Sequence, residues 1–437
     1  MRMLKVLILL SMLFSAAGCG RTTAPAEGRR TATEKLVGHL DPSTASVLES
    51  YFSPDGRRVA DVAEAGEKRV AVFVVVDGKE EKPYDFVGDF LFSPDSRRVA
   101  YVAREGAKWF VVVDGNEEKP YDFIGNALFS PDSGRVAYVA REGARWFVVV
   151  DGNEEKPYDG IGEGPIFSRD SQRVAYAAKA GAKAFVVVDG KEQEPYDGFC
   201  VPSLFNGEMC VGSLLFSPDS RRVAYVAQVG EKQFVVVDGE EEKHYDSIGS
   251  GSLLFSADSR RVAYVAREGA KWFVVVDGKE EKPYDGIGEG PIFSRDSQRV
   301  AYAAKAGAKG FVVVDGKEEK PYDGVGEGSL LFSPDSRRVA YWAAVGEKQF
   351  VVVDGKEEKP YDGIDTLLFS PDSRRVAYMA AVGAKQFVVV DGNEGKPYDG
   401  FPKGTKIIFD SGSALHYLAL KRTANEIDVY LVEETID

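Results

Sequence analysis

The chain has 437 residues, with 55 Lys and Arg against 69 Asp and Glu and a formal charge of −14. That field repels polyanions and excludes nucleic acid as a partner held by phosphate neutralisation, while 44% hydrophobic and 11% aromatic residues exclude disorder over most of the length. Three His and three Cys leave His-based metal centres and His general-base chemistry almost no raw material, so neither metal nor cofactor is expected.

The N-terminus, MRMLKVLILLSMLFSAAG over residues 1–18, places Arg2 and Lys5 before an apolar run from Val6 to Phe14 and then small residues. The run is far below the ~20 residues a membrane-spanning helix needs, so it is expected to be a secretory signal. The AAGC that ends at Cys19 resembles the bacterial lipobox, which implies a Cys19 that is diacylated and becomes the mature N-terminus. An ordinary signal peptide with an incidental cysteine is the alternative. The resemblance implies a cell-envelope protein held to the membrane through its lipid alone. Gly20 rather than Asp after that Cys points to outer-membrane sorting. Residues 19–34 are small, polar and Pro-containing and suit a flexible tether, leaving 35–437 as one domain.

VVVDG then recurs, ending at Gly78, Gly115, Gly152, Gly190, Gly239, Gly278, Gly316, Gly355 and Gly392, a repeat of about 38 residues. A second marker, FS-x-D, keeps phase from Phe52 to Phe369, and a worn copy lies at Phe409-Asp410. Residues 156–183 and 282–309 are identical, which indicates duplication of several units together.

One unit, over 330–364, reads LLFSPDS, RRVAYWAAVGEK, QFVVVDGKEEK, PYDGI. The short apolar runs 339–343 and 350–353, bounded by turn residues, are strands buried on both faces. The first strand, LLFS, ends in a turn with Pro and Asp at its central positions. The polar EKPYDGI, with its Pro, reads as a fourth, edge strand. A lone unit buries too little apolar surface to offset the ordering of its backbone, so neighbours have to stack on both faces. Four-stranded antiparallel sheets stacked without helices make a β-propeller.

FSPDSRRVAYVA resembles the Pro-Asp variant of the WD-like repeat of TolB-type bacterial propellers, over residues of about 50–400 in all nine units, with Arg169, Arg295 and Ala257 in place of the turn proline. DGKEEKPYDGI faintly resembles the bacterial Trp-Gly repeat but lacks its Trp-Gly pair. Strands at 406–409, 415–420 and 427–432 lack a fourth, and KLVGHL at 35–40 is expected to supply it, making a tenth blade from the two termini. Ten exceeds the usual four to eight blades, and two smaller rings or an open superhelix are the alternatives.

Positions repeated in all nine units are expected to be structural. The Asp of FS-x-D, as in Asp95, Asp132 and Asp335, caps its turn, with the Arg of RVA, as in Arg98, Arg135 and Arg338, as its charge partner. The Tyr of PYD, as in Tyr121, packs in the core with its hydroxyl on backbone. The slot before FVVV holds Trp109, Trp146 and Trp272 in three units but Val, Ala, Gln or Gly elsewhere. Such a slot is expected to be loosely packed, and the three Trp form either an aromatic recognition surface or a partial packing against the neighbouring blade. Glu163, Glu289 and Glu327 occupy equivalent loops and are either an acidic mouth for cationic partners or solvated loop residues. The one irregular unit, FCVPSLFNGEMCVG, carries an Asn206-Gly207 hairpin signal flanked by Cys200 and Cys210, which in an exported protein are expected to form a disulfide, with Phe205 at the tip as a partner contact.

No G-x-S-x-G, H-E-x-x-H or P-loop occurs, so no catalytic residues are expected. The functional expectation is a lipid-anchored, non-catalytic platform for envelope proteins. A ligand or metal sensor, or a carboxylate-based hydrolase or lyase, are the alternatives.

Overall fold

The computed structural model describes residues 30–40, 50–54, 58–65, 71–77, 79–162, 164–199, 214–402, 405–423 and 427–436. Cys19, Glu163, Cys200, Phe205 and Cys210 lie outside them, as do the signal and most of the tether.

Among the described residues the chain is all-β, and its strands form ten antiparallel sheets of four-strand order, four of them with a first strand broken in two. We number these blades in chain order: blade 1 over 50–80, then 86–117, 123–154, 160–192, 198–241, 247–280, 286–318, 324–357 and 363–394, with 408–436 and 30–40 making blade 10. The chain divides into two compact units, Ser43–Pro360 with blades 1–8, and Met1–Pro42 with Tyr361–Asp437, which holds blades 9 and 10.

In blade 2 the four strands are Phe86–Phe92, Val99–Glu105, Lys108–Val113 and Asn116–Glu117. The turn after the first strand closes by Ser96 N donating to Ser93 O at 2.8 Å, with Pro94 and Asp95 between them as the sequence predicts. Third and fourth strands meet at Asp114-Gly115, both at positive φ (50° and 78°), the geometry of the two-residue Asp-Gly hairpin. Asp114 tolerates it because its carboxylate accepts from Val99 N at 2.9 Å.

Both faces of the middle strands are buried, as in Val99–Ala103 and Val223–Ala227. Odd and even residues therefore enter different cores. Tyr101 and Ala103 join Ala60, Val74 and Val76 of blade 1, whereas Ala100 and Val102 join Tyr138 and Val149 of blade 3. Within blades 1–8, and between blades 9 and 10, each seam is thus one hydrophobic core.

The fourth strand differs from expectation. Only Asn116–Glu117 pairs there, and after Pro120, which has no N–H to offer, the chain bridges back at Tyr121 to Trp109. The Gly-Ile of PYDGI opens the first strand of the next blade, where Gly160 faces Lys179 and Ile161 faces Ala178.

Blade 10 is built from both ends of the chain. Ile408–Ser411, Ala414–Arg422 and Ile427–Ile436 are in sequence order, and Arg30–Leu40 pairs antiparallel with the last of them. Pairing starts at Arg30 rather than Lys35, so residues 30–34, expected in the tether, belong to the sheet. The reason is chemical: Glu434, only 2% exposed, accepts from Arg30 Nε and, at 2.6 Å, from Tyr417 Oη. Glu34 accepts from Tyr398 at 2.7 Å and pairs with Lys396 and Lys421.

Candidate binding surface

Most of the polar residues common to the repeats close turns or join neighbouring blades. Asp95 accepts from Ser93 Oγ at 2.6 Å and from Arg97 N at 3.0 Å, the expected turn cap, and these hydrogen bonds hold its carboxyl below the usual range. Arg98, however, does not pair with Asp95. Its Nε donates to Asp114 at 2.8 Å, its Nη1 to the Ser133 and Gly134 carbonyls of blade 3, and its guanidinium lies 5.3 Å over the Phe129 ring there. The turn cap has already taken the Asp95 carboxyl, and Asp114 is the acid that faces the seam.

The PYD tyrosine is also corrected. Tyr121 is fully buried, but its hydroxyl donates to the Glu154 carboxylate of blade 3 at 2.8 Å rather than to backbone. Lys119 Nζ reaches the same Glu154 at 2.7 Å and Glu142 at 3.1 Å. The same Lys-Tyr-Glu staple recurs at Lys156, Tyr158 and Glu192 and at Lys282, Tyr284 and Glu318. Asp122 accepts from Gly143 N and Lys108.

The variable positions remain. Trp109 is half-buried in a cross-strand row, Phe86 to Arg104 to Trp109, in which neighbours face each other across the sheet. The Arg104 guanidinium lies 5.2 Å from the Trp109 ring and 5.9 Å from that of Phe86, and the two rings are 5.4 Å apart, edge to face. Blade 3 repeats this row with Phe123, Arg141 and Trp146, the ring centroids 5.6 Å apart. In blade 6 the row is Ser247, Arg267 and Trp272. Phe86 is 41% exposed. The slot is not loose, contrary to expectation. Ala184 and Gln233 there are buried, Gln233 Oε1 accepts from Ile248 N at 2.8 Å, and a Cβ on Gly310 would lie 3.6 Å from Val325 N. The first strand of the next blade covers it.

Of the loop acids, Glu327 is exposed and Glu289 is not. Burial pushes the Glu289 carboxyl up to about 7, Leu330 N, 3.4 Å from it, counteracts in part, and Glu327 repels it further. The two belong to neighbouring blades 7 and 8 and act on each other.

No family model and no curated protein matches the chain. Among solved structures, a eukaryotic initiation factor is similar at 11% identity over 85% of this chain and 98% of its own, with a TM-score of 0.42. TolB from Acinetobacter baumannii is similar at 19% identity over 63% and 84%, TM-score 0.26. The β-propeller domain of the Trilobed protease from Pyrococcus furiosus is similar at 14% over 63% and 94%, TM-score 0.30. At such scores the likeness adds nothing to the sheet topology described above. The class is that of an all-β chain of propeller-type blades.

Proposed function

We propose that the protein is a lipid-anchored cell-envelope propeller, non-catalytic, that presents a rigid surface to envelope proteins. One observation carries the reading. The Asp and Arg that recur in the FS-x-D turn and in RVA are occupied in turns and seams, while blades 2 and 3 bear adjacent aromatic-Arg-aromatic rows of the residue types that dominate protein interfaces. The exposed edge of Phe86 and the flanking half-buried Trp109 and Arg104 are the contact, with Trp272 of blade 6 a separate candidate. Glu327, exposed on its loop, adds negative charge facing a cationic partner. Anchoring rests on the lipobox at Cys19, and outer-membrane sorting on Gly20.

The test has two arms. Crosslinking in intact cells followed by mass spectrometry is expected to find partners that Trp109→Ala with Trp146→Ala loses while the protein stays folded; an unchanged partner set discards the surface. Globomycin is expected to accumulate the precursor and labelled palmitate to enter the protein; failure of both removes the anchor.

A further inference from the structure

We infer that the seam between blades 6 and 7 holds a small neutral polyhydroxyl molecule, of the size of glycerol or a four-carbon polyol, between Tyr302 and Glu281. In several seams the buried second-strand tyrosine donates to the glutamate that follows the preceding blade: Tyr138 to Glu118, Tyr264 to Glu242 and Tyr341 to Glu319, each at 2.7 Å. The blade 6–7 seam lacks that bond. Tyr302 is 1% exposed, and its buried hydroxyl has no hydrogen-bond partner. Glu281, on the same side of the seam, has its Oε2 3.3 Å from where a Cβ on Gly316 would stand.

Between them opens a cleft of about 180 Å³, lined also by Arg261, Gln298, Asp315, Val276 and Val300. The other charges are already satisfied. Arg261 donates to Asp277 at 2.9 Å and to the Ser297 and Gln298 carbonyls, and Asp315 accepts from Val300 N and Arg299. What remains is one neutral donor and one carboxylate. Burial pushes the Tyr302 hydroxyl well above the ordinary tyrosine range, so it stays a donor.

A hydroxyl accepts from Tyr302 and donates to Glu281 at once, and adjacent hydroxyls suit the two carboxylate oxygens. The Glu281 carboxylate repels an anion. Val276 and Val300 border the cleft beside these polar groups. The seam between blades 3 and 4, from the identical stretch of sequence, has the same arrangement: the Tyr176 hydroxyl is buried without a partner, and Glu155 Oε2 lies 3.3 Å from the Cβ position of Gly190.

Saturation-transfer NMR of the purified full chain with glycerol and with erythritol tests the assignment. Saturable binding is expected with a Kd on the order of millimolar, weakened at least about tenfold in Tyr176→Phe with Tyr302→Phe and unchanged in Tyr138→Phe. The double variant deletes unpaired hydroxyls and should melt no lower than the parent, whereas Tyr138→Phe, which orphans Glu118, should melt lower. Absence of saturable binding, or equal binding by the double variant, overturns the proposal and leaves only water in the seams.

Discussion

Two glutamates in this chain titrate in opposite senses. At Glu34, burial would raise the carboxyl, but Lys396, Lys421 and the Tyr398 hydroxyl hold it down to about 2. A depressed carboxyl stabilises the fold above its unfolded value near 4.5, and that stability is lost as pH falls from there toward 2. The melting temperature of the parent is therefore expected to drop over that window more steeply than that of Glu34→Gln, with a difference of about 2 kcal/mol at neutral pH. Glu289, raised to about 7 by burial, behaves conversely. Ionising it costs folded stability as pH rises from about 4.5 to 7, so Glu289→Gln should be stabilised by about 2 kcal/mol at pH 8 and unchanged near pH 4. Thermal melts across pH decide both, and parallel curves for variant and parent contradict the geometry at that residue.

At the scale of the element, blade 10 depends on a strand from the far end of the chain. Removing 30–40 exposes the edge of 427–436, orphans Glu434 and strips Lys396 and Lys421 of their carboxylate. The melting temperature is expected to fall by about 10 °C, and an unchanged melt refutes the pairing as a stabilising element. The strands and turns were legible in the sequence because their punctuation is local: Pro94-Asp95 and Asp114-Gly115 each decide a turn within four residues. The seams were not, because each joins residues about 35 positions apart in different copies. Invariance across copies hides which partner is which, so Arg98 had two acids to choose from and only geometry selected Asp114. The fourth strand was misplaced because a Pro tolerated at an edge and a Tyr drawn into a seam look alike in sequence. The Trp slot was found from its variability. Its row was missed, although a signal existed: the residue after PYD is Phe in two of the three units that carry Trp, at Phe86 and Phe123.

At the scale of the molecule, stability resides in seams that use the same parts repeatedly. Arg98→Ala and Arg222→Ala remove equivalent staples, each with a partner acid in its own sheet and two carbonyls in the next. These side chains are partly exposed, so each substitution is expected to cost about 1 kcal/mol. Because the two seams share no residue, the double variant should lose the sum of the two within about 0.5 kcal/mol. Denaturant unfolding measures this, and a markedly larger loss would show that distant seams are coupled.

The staples also bear on ancestry. Six lysines leaving one sheet, Lys82, Lys119, Lys156, Lys243, Lys282 and Lys320, find a Glu at the same register in the next, so within the stapled series one module's trailing side fits any other's leading side. Identical stretches such as 156–183 and 282–309 are then interchangeable parts. Unequal recombination between their coding segments lengthens or shortens the gene by whole modules without creating a mismatched junction, which makes module number an easily altered quantity in descendants of this gene.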